Sequence, residues 1–167
     1  MKTTFTDKYP NETLKALSWK QPFASLMLHG KVETRVWGSK YLGWVLICAS
    51  KAPYSSKQLR EISGDAQFKR IYDTFQGDTS NWSTQPTGVA IAIGKLINSQ
   101  PMNSNDSENC FVQYVSPWYK EGAKGTTKKQ LWCHEYGEVQ AIEPFAWHGK
   151  LGWSTVPDTL KSKIIIL

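Results

Sequence analysis

The sequence predicts an α+β domain in which short, bent strands surround two helical stretches. Three observations lead there. Lys31–Trp37 alternates strictly with a period of two, and the nearly continuous apolar run Trp44–Ala49 follows it. A second apolar run spans Val89–Ile97. Pro22–His29 and Ser55–Phe75 instead carry apolar residues at helical spacing. No repeat or linker divides the 167 residues, a length that suits one domain with a real core. With 40% hydrophobic and 20% charged residues, the chain is neither a disordered tail nor a coiled coil.

The elements follow in order. Residues 1–13 read as a polar N-terminal arm, and 14–167 as the single domain. Leu14–Ser18 is a short strand ending at Trp19-Lys20. Pro22 suits the first turn of a helix, where its missing N–H costs nothing. Phe23, Leu26 and Met27 then form an apolar stripe, and Gly30 is placed to cap it. In Lys31–Trp37, Val32, Thr34 and Val36 face one way; Lys31, Glu33, Arg35 and Trp37 face the other. On pattern alone this second face is a solvent face, with exposed ion pairs worth ~0–1 kcal/mol. Placed in a cleft, Arg35 would grip phosphate and Trp37 would stack a base. Trp44–Ala49 is a central strand. Ser55–Phe75 is helical with Ser56 as its N-cap, a break near Gly64, and Leu59, Ile62, Phe68, Ile71, Tyr72 and Phe75 turned inward.

Gln76–Thr87 is a polar loop. Gly94, inside the Val89–Ile97 strand, marks a bulge or sharp bend. Ser99–Asn109 is loop-like, Glu121–Lys129 is a basic loop, and Leu131–Trp153 holds two or three short strands. Asp158 opens a last helix, or Ile164–Leu167 forms a strand.

Charge is unevenly spread. The net +6 arises from +7 in residues 1–60 and −1 in the remainder, and between Lys15 and Lys57 seven basic residues face Glu33 alone. Such a surface is either a solvated Lys-rich face or an anion-seeking one, nucleic acid being the commonest polyanion. Lys20-Gln21-Pro22-Phe23 is likewise either a cap with a core Phe or an anion site built from helix amides and Lys20. Of the eight tryptophans, 19, 37, 44, 82, 118, 132, 147 and 153, most are core fillers; Trp19, Trp37 and Trp153 adjoin basic or Gly-rich turns and are the candidates for partial exposure. Aromatics interleaved with basic residues suit unpaired nucleic acid better than duplex.

Three cysteines, Cys48, Cys110 and Cys133, suit a reducing cytoplasm. No apolar run reaches the ~20 residues of a membrane span and no leader is recognisable, so a cytoplasmic location without membrane partners is expected. No metal-ligand spacing occurs, since adjacent Cys133 and His134 do not make a tetrahedral site, and no cofactor motif is present. Cys48 reads as an inert core thiol.

The segment ALSWKQPFASLMLHGKVETRVWGSKYLGWVLICASK resembles the opening of the ASCH domain, a PUA-like family. There a K/R-Q-P-W/F turn and helix lead into a G-x-K-x-x-E-x-R strand, a K-Y-x-G turn and an apolar strand. Gly88–Leu96 resembles that family's G-x-x-x-G-x-x-x-L strand, and IEPFAWHGKLGWSTVP its closing element. The resemblance implies a small β-barrel with flanking helices and a cleft lined by the K-Q-P-F turn and the E-x-R strand. It also implies binding of single-stranded RNA or a modified nucleoside. The ligand-binding residues would be Lys20, Gln21, Pro22, Phe23, Lys31, Glu33, Arg35, Trp37 and Lys40. Hydrolase members of the family suggest a second reading, an N4-acylcytidine amidohydrolase or ribonuclease using Glu33 with Lys31 or Lys20. Against the deacylating branch, Gly30 stands where its Lys is found and Glu33 where its Thr is found; Cys48 replaces a His that many relatives carry. A third reading is a protein-interaction module using the Glu121–Lys129 loop.

Overall fold

The structure, a computed structural model, describes residues 1–75, 85–115 and 130–167. The basic loop 121–129, most of the polar loop after Phe75, Trp82 and Trp118 lie outside the described residues.

The chain opens with a two-residue strand, β1 (Thr3–Thr4), and one helical turn, α1 (Phe5–Lys8), closed by a capping box between Thr4 and Asp7. β2 (Leu14–Trp19) leads through the Gln21–Pro22 turn into α2 (Phe23–Leu26) and a 3-10 turn, Met27–His29. Gly30 ends this turn at φ 84°, a left-handed conformation that a residue with a Cβ rarely adopts. β3 (Glu33–Arg35) and β4 (Gly43–Ala49) follow. Next comes the long helix α3 (Ser56–Thr74), kinked at Gly64 and capped by Ser55 rather than Ser56, since the Ser55 hydroxyl accepts from Gln58 N. β5 (Val89–Pro101), a 3-10 turn (Ser104–Asp106), α4 (Ser107–Cys110), β6 (Trp132–Ala146), β7 (Ser154–Thr155), α5 (Asp158–Lys161) and β8 (Ile165–Ile166) complete the described elements.

The strands form one curled half-barrel in the order β1-β8-β6-β5-β4-β2-β7, with β3 attached to β6. The β2–β4 pair is parallel; its crossover carries α2 and β3, the two elements on which the candidate site residues lie. The curl comes from β5, whose pairing with β6 shifts register between Ala90 and Ala92, Ile93 and Lys95, and Leu96 and Asn98. The bend anticipated at Gly94 is therefore one of several.

β4 shows why its sequence is apolar throughout. Val45, Ile47 and Ala49 join a core with α2 and α3, whereas Trp44, Leu46 and Cys48 join a second core on the opposite face. A strand covered on both sides has no solvent face to keep polar.

Further expectations change; the stretch read as a loop over Ser99–Asn109 instead ends β5 and then turns helical. The polar arm holds one fully buried side chain, Phe5, which packs edge-on to Trp44; β1 pairs with β8, so the first residues are tied to the last. Residues 132–146 form one long strand instead of two or three, because β6 follows β5 across its bulges without breaking. Both C-terminal alternatives are realised, α5 and then β8. Tyr72 is exposed, on the outer side of α3.

Candidate functional site

The alternation in Lys31–Trp37 is real, but its orientation is inverted. Lys31 and Glu33 are 3% and 1% exposed, whereas Val36 is 54% exposed. The charged face points inward because β3 is short and pairs with β6, Glu33 opposite His134, Thr34 opposite Cys133 and Arg35 opposite Trp132. Hydrogen bonds from Lys31 N to Leu26 O (3.1 Å) and from Val32 N to Asn109 O (2.9 Å) hold the entry to this strand. Period two reports that two faces differ; it does not report which one meets solvent.

Glu33 is enclosed by named partners. Arg35 Nε donates to its Oε1, and Arg35 Nη2 donates to Ser18 O at 2.8 Å. The guanidinium lies over Trp19 (5.2 Å) and Trp37 (5.9 Å), which fixes its plane. Two of its nitrogens are thus engaged by the protein, and Arg35 offers a ligand only its remaining N–H groups. On the far side His134, fully buried, bonds Trp37 O through Nε2 at 2.9 Å. Because a carbonyl only accepts, Nε2 carries the proton and Nδ1 presents a lone pair, 3.9 Å from Glu33 Oε2. Among the described residues neither of those atoms has a hydrogen-bond partner, nor does buried Trp19 Nε1. Burial holds His134 below its ordinary pKa, against the opposing pull of Glu33. Tyr136, two residues along β6, is pushed well above the usual phenol value, first by burial and then by the Glu33 charge.

Lys31 is the other buried charge among the described residues. Its Nζ lies 4.4 Å from the Phe23 ring centre and donates to Val32 O at 3.0 Å. Desolvation pulls its pKa down to about 8.

These groups border a cleft of about 910 Å³. Lys20, Lys31, Arg35, Lys51 and Lys150 line it, with Glu33 as the one lining carboxylate among the described residues. Trp19, Phe23, Trp37, Tyr54 and Trp147 supply aromatic wall. Trp37 is half-buried, held edge-on against His134 (5.0 Å) and Trp153 (5.9 Å).

The candidates from sequence therefore divide. Lys20, Phe23, Lys31, Glu33, Arg35 and Trp37 meet at the cleft. Lys20 is exposed, its amine 5.3 Å from the Tyr54 ring centre. Gln21 and Pro22 are buried and do not line it. Gln21 instead clips the turn together: Nε2 donates to Pro86 O and Oε1 accepts from Ser25 N, both at 2.9 Å. The amides of Ser25 and Phe23 are therefore engaged within the turn, the latter by Lys20 O. Lys40 is exposed and away from the lining. Trp19 is buried rather than partly exposed, while Trp153 is half-buried as expected.

Sequence reasoning missed His134, Tyr136, Lys51, Tyr54 and the 147–152 segment with His148 and Lys150. A signal existed for β6: Trp132, His134 and Tyr136 alternate, though their strand partner could not be read from one sequence. Cys48 is buried as expected, and burial pushes its thiol upward.

No protein-family model matches the sequence, and no curated protein matches it. Among solved structures, the chain is similar to the ASCH protein of Zymomonas mobilis. The unmutated protein aligns over 87% of this chain and 89% of its own, at 14% identity and a TM-score of 0.48. A mutant form of it aligns over 90% and 94%, at 15% identity and a TM-score of 0.49.

Proposed function

We propose that this chain is an ASCH-type, PUA-like domain that binds single-stranded RNA, or a modified nucleoside, in the cleft between α2 and β3. The observation that carries the reading is the cleft's composition: five cationic side chains and five aromatic rings around one buried carboxylate. Cations supply phosphate affinity, and rings supply a stacking surface that only unpaired bases can use. Lys20, Lys31 and the free end of Arg35 contact phosphate, Trp37 stacks a base, and Glu33 accepts from a base edge or ribose hydroxyl. Lys40 contributes from outside as a long-range charge.

Fluorescence anisotropy with labelled single-stranded and duplex RNA tests this. Single strands are expected to bind more tightly, with log affinity falling against log salt at a slope near −0.7 per phosphate contact. Absent or salt-independent binding would refute it.

Lys31 favours a second reading, hydrolysis of an acylated nucleoside or of RNA. An amine with a pKa of about 8 beside a buried carboxylate is suited to proton transfer. Turnover of N4-acylcytidine or RNA, lost in Glu33→Gln with binding retained, would establish it.

A further inference from the structure

Beneath the cleft lies a pair of side chains that ligand binding does not use. Cys110 closes α4 and Cys133 sits on β6 between Trp132 and His134; their sulfurs are 3.6 Å apart, and both residues are buried. Each is two residues from a cleft-lining side chain, Val112 in one case and Leu131 in the other. The segment carrying Cys110 is bonded to β3's approach through Asn109 O and Val32 N. We propose that Cys110 and Cys133 form a redox-active dithiol, a modification site that closes to a disulfide under a peroxide-class oxidant.

The two sulfurs are already in contact, so the bond needs a local approach instead of a rearrangement. The contact also differentiates them. The Cys133 thiol hydrogen bond, helped by the Lys31 charge, holds Cys110 below its ordinary value against burial, and Cys133 is pushed up in return. Cys110 is the attacking sulfur. Its thiolate takes one peroxide oxygen, the O–O bond breaks, and the departing hydroxide picks up a proton to become water. Cys133 then attacks the sulfenic sulfur; the S–S bond forms, the S–O bond breaks, and the hydroxyl leaves with the Cys133 proton as a second water. Two thiols and one peroxide become one disulfide and two waters, the sulfurs giving up two electrons.

Oxidation also removes Cys110 as an ionisable partner of Lys31, whose pKa a Cys110 thiolate raises. The disulfide form is therefore expected to bind single-stranded RNA several-fold more weakly. This consequence rests on the anion-binding reading of the cleft; the bond itself does not.

Folded protein is treated with hydrogen peroxide, unfolded and alkylated. Alkylatable thiols should fall from three to one. The mass should drop by about 2 Da, and dithiothreitol should reverse both changes. A non-reducing digest should link the Cys110 and Cys133 peptides; Cys48→Ala should keep that link and the mass drop, its thiols falling from two to none. Cys133→Ser should lose the mass drop and accumulate oxygen on Cys110; if it does not fold, the wild-type digest decides. Three retained thiols, a link through Cys48, or oxygen adducts without a link would overturn the proposal. Complete disulfide with unchanged RNA binding overturns only the coupling to Lys31. A reduced protein that binds no RNA overturns the cleft reading and leaves the mass result standing.

Discussion

The two faces of the β2–β4 sheet are built from alternate residues of the same strands, yet they serve opposite ends. One face, from Leu14, Ala16, Trp44 and Leu46, is closed by Phe5, Val156 and Ile164 from the chain's two ends, and this dry face, as we term it, is apolar throughout its buried cluster. The other, from Leu17, Trp19, Val45 and Ile47, packs on α2 and α3 and then meets Lys31, Glu33 and His134. Burying those three lowers stability, because a desolvated charge or an unmade hydrogen bond costs about 1–3 kcal/mol or more. A sheet needs only one such dry face and one helix-covered core to fold. On the proposed reading the charged wall serves the ligand, and the apolar face supplies the stability that offsets its cost.

Altering each face should separate these roles. The largest effect is expected on the dry face: Phe5→Ala, at a fully buried position, should cost about 3–5 kcal/mol in urea unfolding, with RNA binding retained at temperatures where the variant is folded. A small loss would mean that the N-terminal segment is dispensable and that the dry face ends at the sheet.

Next comes Lys31→Met, which should stabilise. Lys31 titrates at about 8 folded against 10.5 unfolded, so between those values the unfolded state binds more protons and wild-type stability rises with pH. Below about pH 8 the penalty is fully present, on the order of 3 kcal/mol. The Met variant should be more stable than wild type at pH 7 and should lack the rise between pH 8 and 10.5, as read by unfolding at several pH values. The same variant should bind RNA less well, which is the trade expected of a functional charge.

Smaller effects belong to the cleft rim. Trp37→Ala should weaken single-stranded RNA by about 1–3 kcal/mol, with little change in salt slope, because stacking is lost and phosphate contacts remain. Smallest is Lys40→Ala, exposed and outside the lining, which should change affinity by less than about twofold at physiological salt and by more at low salt. An equal effect from Lys40 and Trp37 would place the ligand on the outer surface instead of in the cleft.

Much of this was legible in the residues. β2, β4 and β5, the break in α3 at Gly64 and the left-handed Gly30 follow from local patterns, because hydrophobic period and glycine placement act over a few residues. The Lys31-Glu33-Arg35-Trp37 set was legible as a charged face. The burial of Gln21 was not legible, because a buried amide and an exposed one look alike in sequence; only its bonds to Pro86 and Ser25 distinguish them. His134 adjoins Cys133 in sequence, but its pairing with Glu33 joins residues far apart along the chain and is not written in either segment.

The sequence by itself determined which residues alternate, where the chain turns, that the positive charge gathers in the first sixty residues, and that Trp44–Ala49 is a central strand. Those are consequences of nearest-neighbour chemistry. Tertiary structure alone decided that the charged face of β3 points inward, that Phe5 closes a core, and that His134 faces Glu33 while Cys110 touches Cys133. Each of those depends on a strand partner or packing neighbour distant along the chain, and burial and hydrogen-bond completion over the whole fold select it.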